Sequence, residues 1–292
     1  MPTIIRHPTR EHPRGNQRRP PSPRPTPPPV TINPKTESLD RRIRNLEALG
    51  NGVFIGNVLA SYMALPGLVG FWPMSSIQRS TGNAYDLSGQ GRTLTYNGNP
   101  AYTYDNGLVP YIAFDGTGDY LSRADETDLD ITGAETIYTT GAAGLTMGGW
   151  FWLDSTASEW GLIGKWNGTG NQRSYVLTSS ATPRLYVSGN GSTQISVDSS
   201  VTVSTGTWYF MVARFIASTS IDIYINSTKT TNTASIPASL FVSTATFEIS
   251  GYSAGTAVLL PGRATLCFLC ANALGDDLIS SLFQSSRVLL SV

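Results

Sequence analysis

Glu126, Asp128 and Asp130 stand at i, i+2 and i+4 in the run Glu126-Thr127-Asp128-Leu129-Asp130. On a strand, alternate residues share one face, so this spacing could align an acid with a nucleophile. Glycoside cleavage with retention needs two such carboxyls about 5–5.5 Å apart. The flanks of the run are polar, however, and no further acid, base or nucleophile joins it. The two histidines, His7 and His12, lie in a Pro-rich segment where no triad geometry can be fixed. No catalytic residue is therefore assigned. Cys267 and Cys270 form a C-x-x-C with no second pair. Residues i and i+3 of a strand point to opposite faces, so the two read as core or half-buried thiols and not as a zinc or redox site.

Trp160 and Trp166 flank Gly161–Gly164 and precede Asn167-Gly168-Thr169-Gly170-Asn171-Gln172. Indoles offer flat apolar faces, amides both donate and accept, and glycine lets a ligand approach the backbone. Trp160, Trp166, Asn167, Asn171 and Gln172 are accordingly the candidate glycan contacts. The competing reading makes both indoles part of a half-buried turn, since aromatics dominate cores.

These residues must be held by short strands. Alternation is plain in Ile221-Asp222-Ile223-Tyr224-Ile225-Asn226 and in Arg184-Leu185-Tyr186-Val187. Strands are expected near 68–73, 92–97, 110–114, 119–123, 144–153, 160–165, 173–178, 183–188, 193–198, 207–216, 220–226, 245–250 and 264–270. A short helix is expected over Ala273–Phe283. So many short strands with Gly-rich turns predict an all-β, two-sheet antiparallel sandwich of jelly-roll type.

The N-terminal part differs in kind. Residues 1–34 hold 11 of the 18 prolines, and residues 1–30 carry Arg6, Arg10, Arg14, Arg18, Arg19 and Arg24 against Glu11 alone. Such a segment cannot bury enough apolar surface to fold by itself, and its prolines favour extended polyproline II. From residue 51 onward there are ten basic and sixteen acidic residues. A basic arm on an acidic body points to an acidic partner surface or to nucleic acid; the arm lacks the aromatics that stack on bases, so a protein shell is the better fit. Leu39, Ile43 and Leu46 place one apolar stripe along a helix over 36–50. That stripe needs a foreign partner, the protein's own body, or copies of itself, most simply a trimeric coiled coil. The expected divisions are an arm over 1–35, a helix over 36–50, an apolar connector over 51–66 that docks on the domain, and a β domain over 67–292. No apolar export segment follows the basic start, and no run of about 18 apolar residues could span a membrane. Display outside a cell would then come through assembly and lysis.

Several runs, in order, resemble a concanavalin A-like, laminin G-like domain of the bacterial and phage kind. They are Gly67-Leu68-Val69-Gly70-Phe71-Trp72-Pro73-Met74, Asp86-Leu87-Ser88-Gly89-Gln90-Gly91, Phe114-Asp115-Gly116-Thr117-Gly118-Asp119-Tyr120-Leu121, Leu145–Trp152, Gly206-Thr207-Trp208-Tyr209-Phe210-Met211-Val212, Ile223-Tyr224-Ile225-Asn226 and Ala271–Ile279. Tyr209 stands where the family usually has histidine, and Ser227 where it has glycine. The resemblance covers roughly residues 67–287. It implies that Trp72, Trp150 and Trp208 are core and that residues 126–130 form a loop, although jelly-roll glucanases carry a similar acidic strand. It also implies a calcium use for Asp86, Asp115, Asp119 and Asp128, since calcium takes six to eight oxygens; the alternative is that Asp86 and Asp115 cap their own glycine turns. No cofactor is required. The expected function is that of a non-enzymatic virion structural protein, a head decoration, cement or fibre-type appendage. Its arm would hold a capsid or other shell protein, and its domain, on the virion surface, could meet a cell-surface glycan. The alternatives are a secreted or cell-surface carbohydrate-binding protein and, less well supported, a glycan hydrolase.

Overall fold

The computed structural model describes residues 52–74, 82–105, 109–135, 142–256 and 258–290. The arm with its arginines, and the stripe of Leu39, Ile43 and Leu46, lie outside these residues. The chain enters through helix α1 (Gly52–Met63) and then runs through β1 (Leu68–Trp72), β2 (Asn83–Ala84), β3 (Leu94–Asn97), β4 (Ala101–Asp105), β5 (Val109–Asp115) and β6 (Tyr120–Arg123). After a 3₁₀ turn at Thr127–Leu129 come β7 (Gly144–Leu153), β8 (Trp160–Asn167), β9 (Gln172–Ser179), β10 (Pro183–Val187) and β11 (Ile195–Asp198). The last elements are β12 (Trp208–Ile216), β13 (Ser220–Ile225), β14 (Thr228–Asn232), β15 (Phe247–Ile249), β16 (Pro261–Cys270) and helix α2 (Asp276–Ser286).

Among the described residues the strands form two antiparallel sheets. The first runs β14-β13-β12-β7-β16-β5-β4, with β1 also paired to β16; the second runs β11-β10-β9-β8-β15-β6-β3-β2. The expected all-β sandwich is thus present. Period-2 alternation sends Leu145, Met147, Phe151 and Leu153 of β7, and Leu177, Leu185 and Phe247 of the second sheet, into one core between the sheets. Opposite residues of the first sheet face outward, yet they too are buried: Trp150, Phe210, Val212 and Phe268 lie beneath α1 and α2. Tyr62 of α1 stacks on Phe71 with ring centroids 4.9 Å apart. Helix α1 thus packs on the outer face of the first sheet.

The single residues follow the same logic. Trp72, Trp150 and Trp208 are buried. Trp152 shares the outer face with Trp150, where the Arg263 guanidinium lies 4.3 Å from its ring. Cys267 belongs to the inner core and Cys270 to the outer one, so the i, i+3 pair does point to opposite faces. Both thiols are free and buried, and burial pushes their pKa values up.

Candidate recognition site

The 126–130 carboxylates do not share a strand face. Thr127–Leu129 forms a 3₁₀ turn, which spreads the acids over Arg92, Arg123 and Lys165, with Glu126 and Asp128 sharing Arg92. Glu126 takes Nε and Nη2 of Arg123, both at 2.8 Å, and Nε of Arg92 at 3.2 Å. Asp128 pairs with Arg92, and Asp130 with Lys165. Lys165 is wholly buried and also holds Asp125 at 2.6 Å and the Ser243 carbonyl. The hydrogen bonds from Arg123, helped by Arg92, lower the Glu126 pKa against the opposing effect of burial. A general acid must keep its proton near neutral pH; Glu126 is set to lose it.

Beside this network the outer edge of the second sheet opens into a hollow of about 380 Å³, lined by Thr93, Thr95, Ser122, Arg123, Ala124, Asp125 and Glu126. Its walls present hydroxyls, a guanidinium and carboxylates, a donor and acceptor set that suits a small polyhydroxylated ligand. Strand β3 supplies Thr95 and β6 supplies Ser122, opposite each other in the pairing register. Arg123 is fixed by Glu126 and by the Thr93 carbonyl at 3.2 Å.

The candidate glycan contacts lie elsewhere, at the β8–β9 hairpin, and most of them serve the fold. Trp166 is only 4% exposed and packs against Tyr186, with centroids 5.9 Å apart. Its ring is not the open stacking platform the sequence suggested, because it lies within the sheet face instead of on the hairpin tip. Trp160 is half-buried, packs on the core and donates its indole N–H to the Ser155 carbonyl at 2.8 Å. Asn167 Oδ1 accepts from the Thr169 N–H at 2.9 Å and so closes its own turn. Gln172 Oε1 accepts from the Thr244 N–H at 2.8 Å. Asn171 is exposed, in a left-handed conformation at φ 56°.

The four candidate calcium aspartates are likewise engaged. Asp86 accepts from the backbone N–H groups of Phe71, Ser88 and Arg92. Asp119 accepts from those of Asn99 and Asp115, and Asp115 from that of Thr117. Asp128 is paired with Arg92. Among the described residues no group of three or more His, Cys, Asp or Glu side chains is placed to hold a metal ion. Asp86 and Asp115 thus take the turn-capping role.

Sequence reasoning missed Glu248. It is fully buried on β15 and forms no ion pair among the described residues. The signal was a lone acid between two apolar residues, Phe247-Glu248-Ile249.

The sandwich defines a lectin-like class. The chain belongs to the concanavalin A-like lectin/glucanases superfamily: residues 115–263 match its Laminin_G_3 family. Among curated proteins, none matches. Among solved structures, the chain is similar to the receptor-binding domain of botulinum neurotoxin C/D mosaic serotype, at 11% identity and a TM-score of 0.58, over 76% of this chain and 52% of that one. It is similar to the botulinum neurotoxin serotype D ligand-binding domain in complex with N-acetylneuraminic acid, at 11% identity and TM-score 0.58, over 79% of this chain and 53% of that one. It is also similar to the binding domain of Paraclostridial mosquitocidal protein 1, at 12% identity and TM-score 0.56, over 75% and 52%. The chain spans about half the length of these structures. At such identities the likeness is one of fold.

Proposed function

We propose that this protein is a non-enzymatic structural component of a virion, a decoration, cement or fibre-type appendage. Its N-terminal arm engages the shell, and its lectin-like domain offers a glycan-recognition surface. The observation that carries the recognition role is the hollow beside β3 and β6, where hydroxyls and a fixed guanidinium converge while the neighbouring carboxylates are held by Arg92, Arg123 and Lys165. Carboxylates paired in this way are poor acid catalysts and good hydrogen-bond acceptors. The virion role rests on the arm, whose charge and prolines suit attachment to an acidic shell. A secreted or cell-surface adhesion protein is the second reading, favoured by the likeness to toxin domains named for receptor and N-acetylneuraminic acid binding.

The recognition role is tested by screening the full chain on a glycan array beside Thr95→Ala and Arg123→Ala variants. Retained binding in both variants would move the site away from the hollow. Cleavage of any glycan would overturn the non-enzymatic reading. Mass spectrometry of purified particles tests the virion role: the protein should copurify at fixed stoichiometry.

A further inference from the structure

The pairing register of the second sheet sets one row of residues side by side: Tyr186, Val176, Gly164, Glu248, Ser122 and Thr95. Their sequence neighbours Leu185, Leu177, Ile163, Phe247 and Leu121 all point into the core, so this row faces outward. An outward glutamate should be solvated. Glu248 is instead completely buried, because residues 251–256 cross over it. The Ala254 N–H donates to Glu248 Oε1 at 2.6 Å and the Gly255 N–H to Oε2 at 2.9 Å. Further along, the Ser253 N–H donates to the Trp166 carbonyl at 3.0 Å.

The crossing segment is pressed against the sheet yet conformationally costly. A Cβ on Gly161 would lie 2.8 Å from the Gly251 backbone, and one on Gly255 would overlap the Tyr120 ring. Ser250, Ser253 and Ala254 all have positive φ, between 57° and 74°, a region that residues other than glycine rarely occupy. Such conformations persist only where surrounding contacts enforce them. Here those contacts are the two hydrogen bonds to Glu248, the Ser253 N–H bond to the Trp166 carbonyl and the Gly168 N–H bond to Ser253 Oγ.

We propose that residues 251–256 form a strap latched by the Glu248 carboxyl, and that release of the latch uncovers the outer face of the second sheet from the Thr95–Ser122 hollow to Trp166 and Tyr186. This goes beyond the recognition role and does not depend on any glycan being bound. The direction of its pH response follows from the surroundings of Glu248. Tyr120 is the titratable group that faces it; Gly164 and Ser122 flank it on the neighbouring strands, the strap gives it the Ala254 and Gly255 N–H groups, and the strap's own Tyr252 has Glu159 and Tyr186 as its electrostatic neighbours. Burial raises the Glu248 pKa from 4.5 to about 7, with the Gly255 and Ala254 N–H groups pulling the other way. A lifted strap returns the group to its ordinary value. The closed form therefore holds the proton more tightly. Closure is favoured fully below about pH 4.5 and loses that advantage as pH rises through about 7, by up to a few hundredfold.

Hydrogen exchange read by mass spectrometry on the full chain tests the latch, with rates corrected for intrinsic pH dependence. The Ala254 and Gly255 amides should be protected at pH 6, and less so at pH 8. Glu248→Gln copies the neutral, protonated carboxyl at every pH, so it should keep the strap amides protected at pH 6 and remove the loss of protection at pH 8, whereas Glu248→Ala, which deletes the latch, should speed strap exchange by about tenfold at pH 6. Gly161→Ala, which pushes the strap up without touching the latch, should speed strap exchange while β8 and β9 stay protected. Unprotected strap amides in the wild type would overturn the proposal. So would unchanged strap exchange in Glu248→Ala, or a pH response that survives in Glu248→Gln. If Glu248→Ala fails to fold, unchanged strap exchange in Gly161→Ala is the overturning result.

Discussion

Trp166 shows how far residue type can mislead about role. An indole beside Gly, Asn and Gln has the composition of a sugar platform, but β8 carries it into the packed face next to Tyr186. Removing it should leave a cavity. Trp166→Ala should cost about 3–5 kcal/mol, a fall in melting temperature on the order of 10 °C for a domain of this size. A variant that melts like the wild type would return Trp166 to the surface. Asp276 makes the opposite case, since its partners could not be read from sequence. Burial alone would raise its pKa, but hydrogen bonds from Tyr224, Arg214 and Lys229 bring it down to about 2. A carboxylate depressed in the folded state stabilises fully above its unfolded value near 3.8 and loses that contribution as pH falls through about 2. Asp276→Asn should therefore be less stable than the wild type at pH 7, by about 1 kcal/mol given its exposure, and the gap should close between pH 4 and pH 2. A gap constant with pH would show that the charge is irrelevant.

At the scale of elements, the strands were legible and their partners were not. Alternation marks β10 and β13 from sequence alone, because each keeps one face in the core. Strands β2, β4 and β14 escaped notice; β2 has two residues and β14 is mostly exposed and polar. The acidic run at 126–130 reads as a strand face by spacing, but Arg92, which lies more than 30 residues earlier, bends it into a turn that meets its guanidinium. Helix α1 was legible only as an apolar connector. Its sequence GVFIGNVLASYM holds two glycines and three β-branched residues, all weak helix formers. Packing on Phe71 and Phe268, not propensity, makes it helical. Removal of residues 1–51 should leave the melting temperature within a few degrees of the wild type. Removal of residues 1–66 should strip the cover from Phe71 and Phe268 and give an aggregating or much less stable protein. Equal stability of the two truncations would mean that α1 is not part of the domain.

At the scale of the whole molecule, the proposed anchoring role belongs to the segment that precedes α1. Deleting residues 1–35 should leave a folded domain that no longer joins its assembly, as measured by occupancy on purified particles. Normal occupancy would refute the anchoring role. If the stripe of Leu39, Ile43 and Leu46 forms a trimer seam, Ile43→Asp should reduce the native mass to that of a monomer, because a buried unpaired charge is not tolerated there. Unchanged native masses would leave a foreign surface as the partner of the stripe.

The central position of β16 governs how this protein must be made. One side of that strand pairs with β7; the other pairs with β5 through Pro261–Ala264 and with β1 through Cys267–Cys270. On the ribosome, β1 therefore waits for a partner almost 200 residues behind it, and the first sheet has a gap at its middle until β16 has been made. Contacts so distant in sequence make folding slow, and unpaired strand edges invite association in the meantime. A nascent chain halted before Pro261 should bind chaperones and resist compaction, whereas one released after Cys270 can close the first sheet.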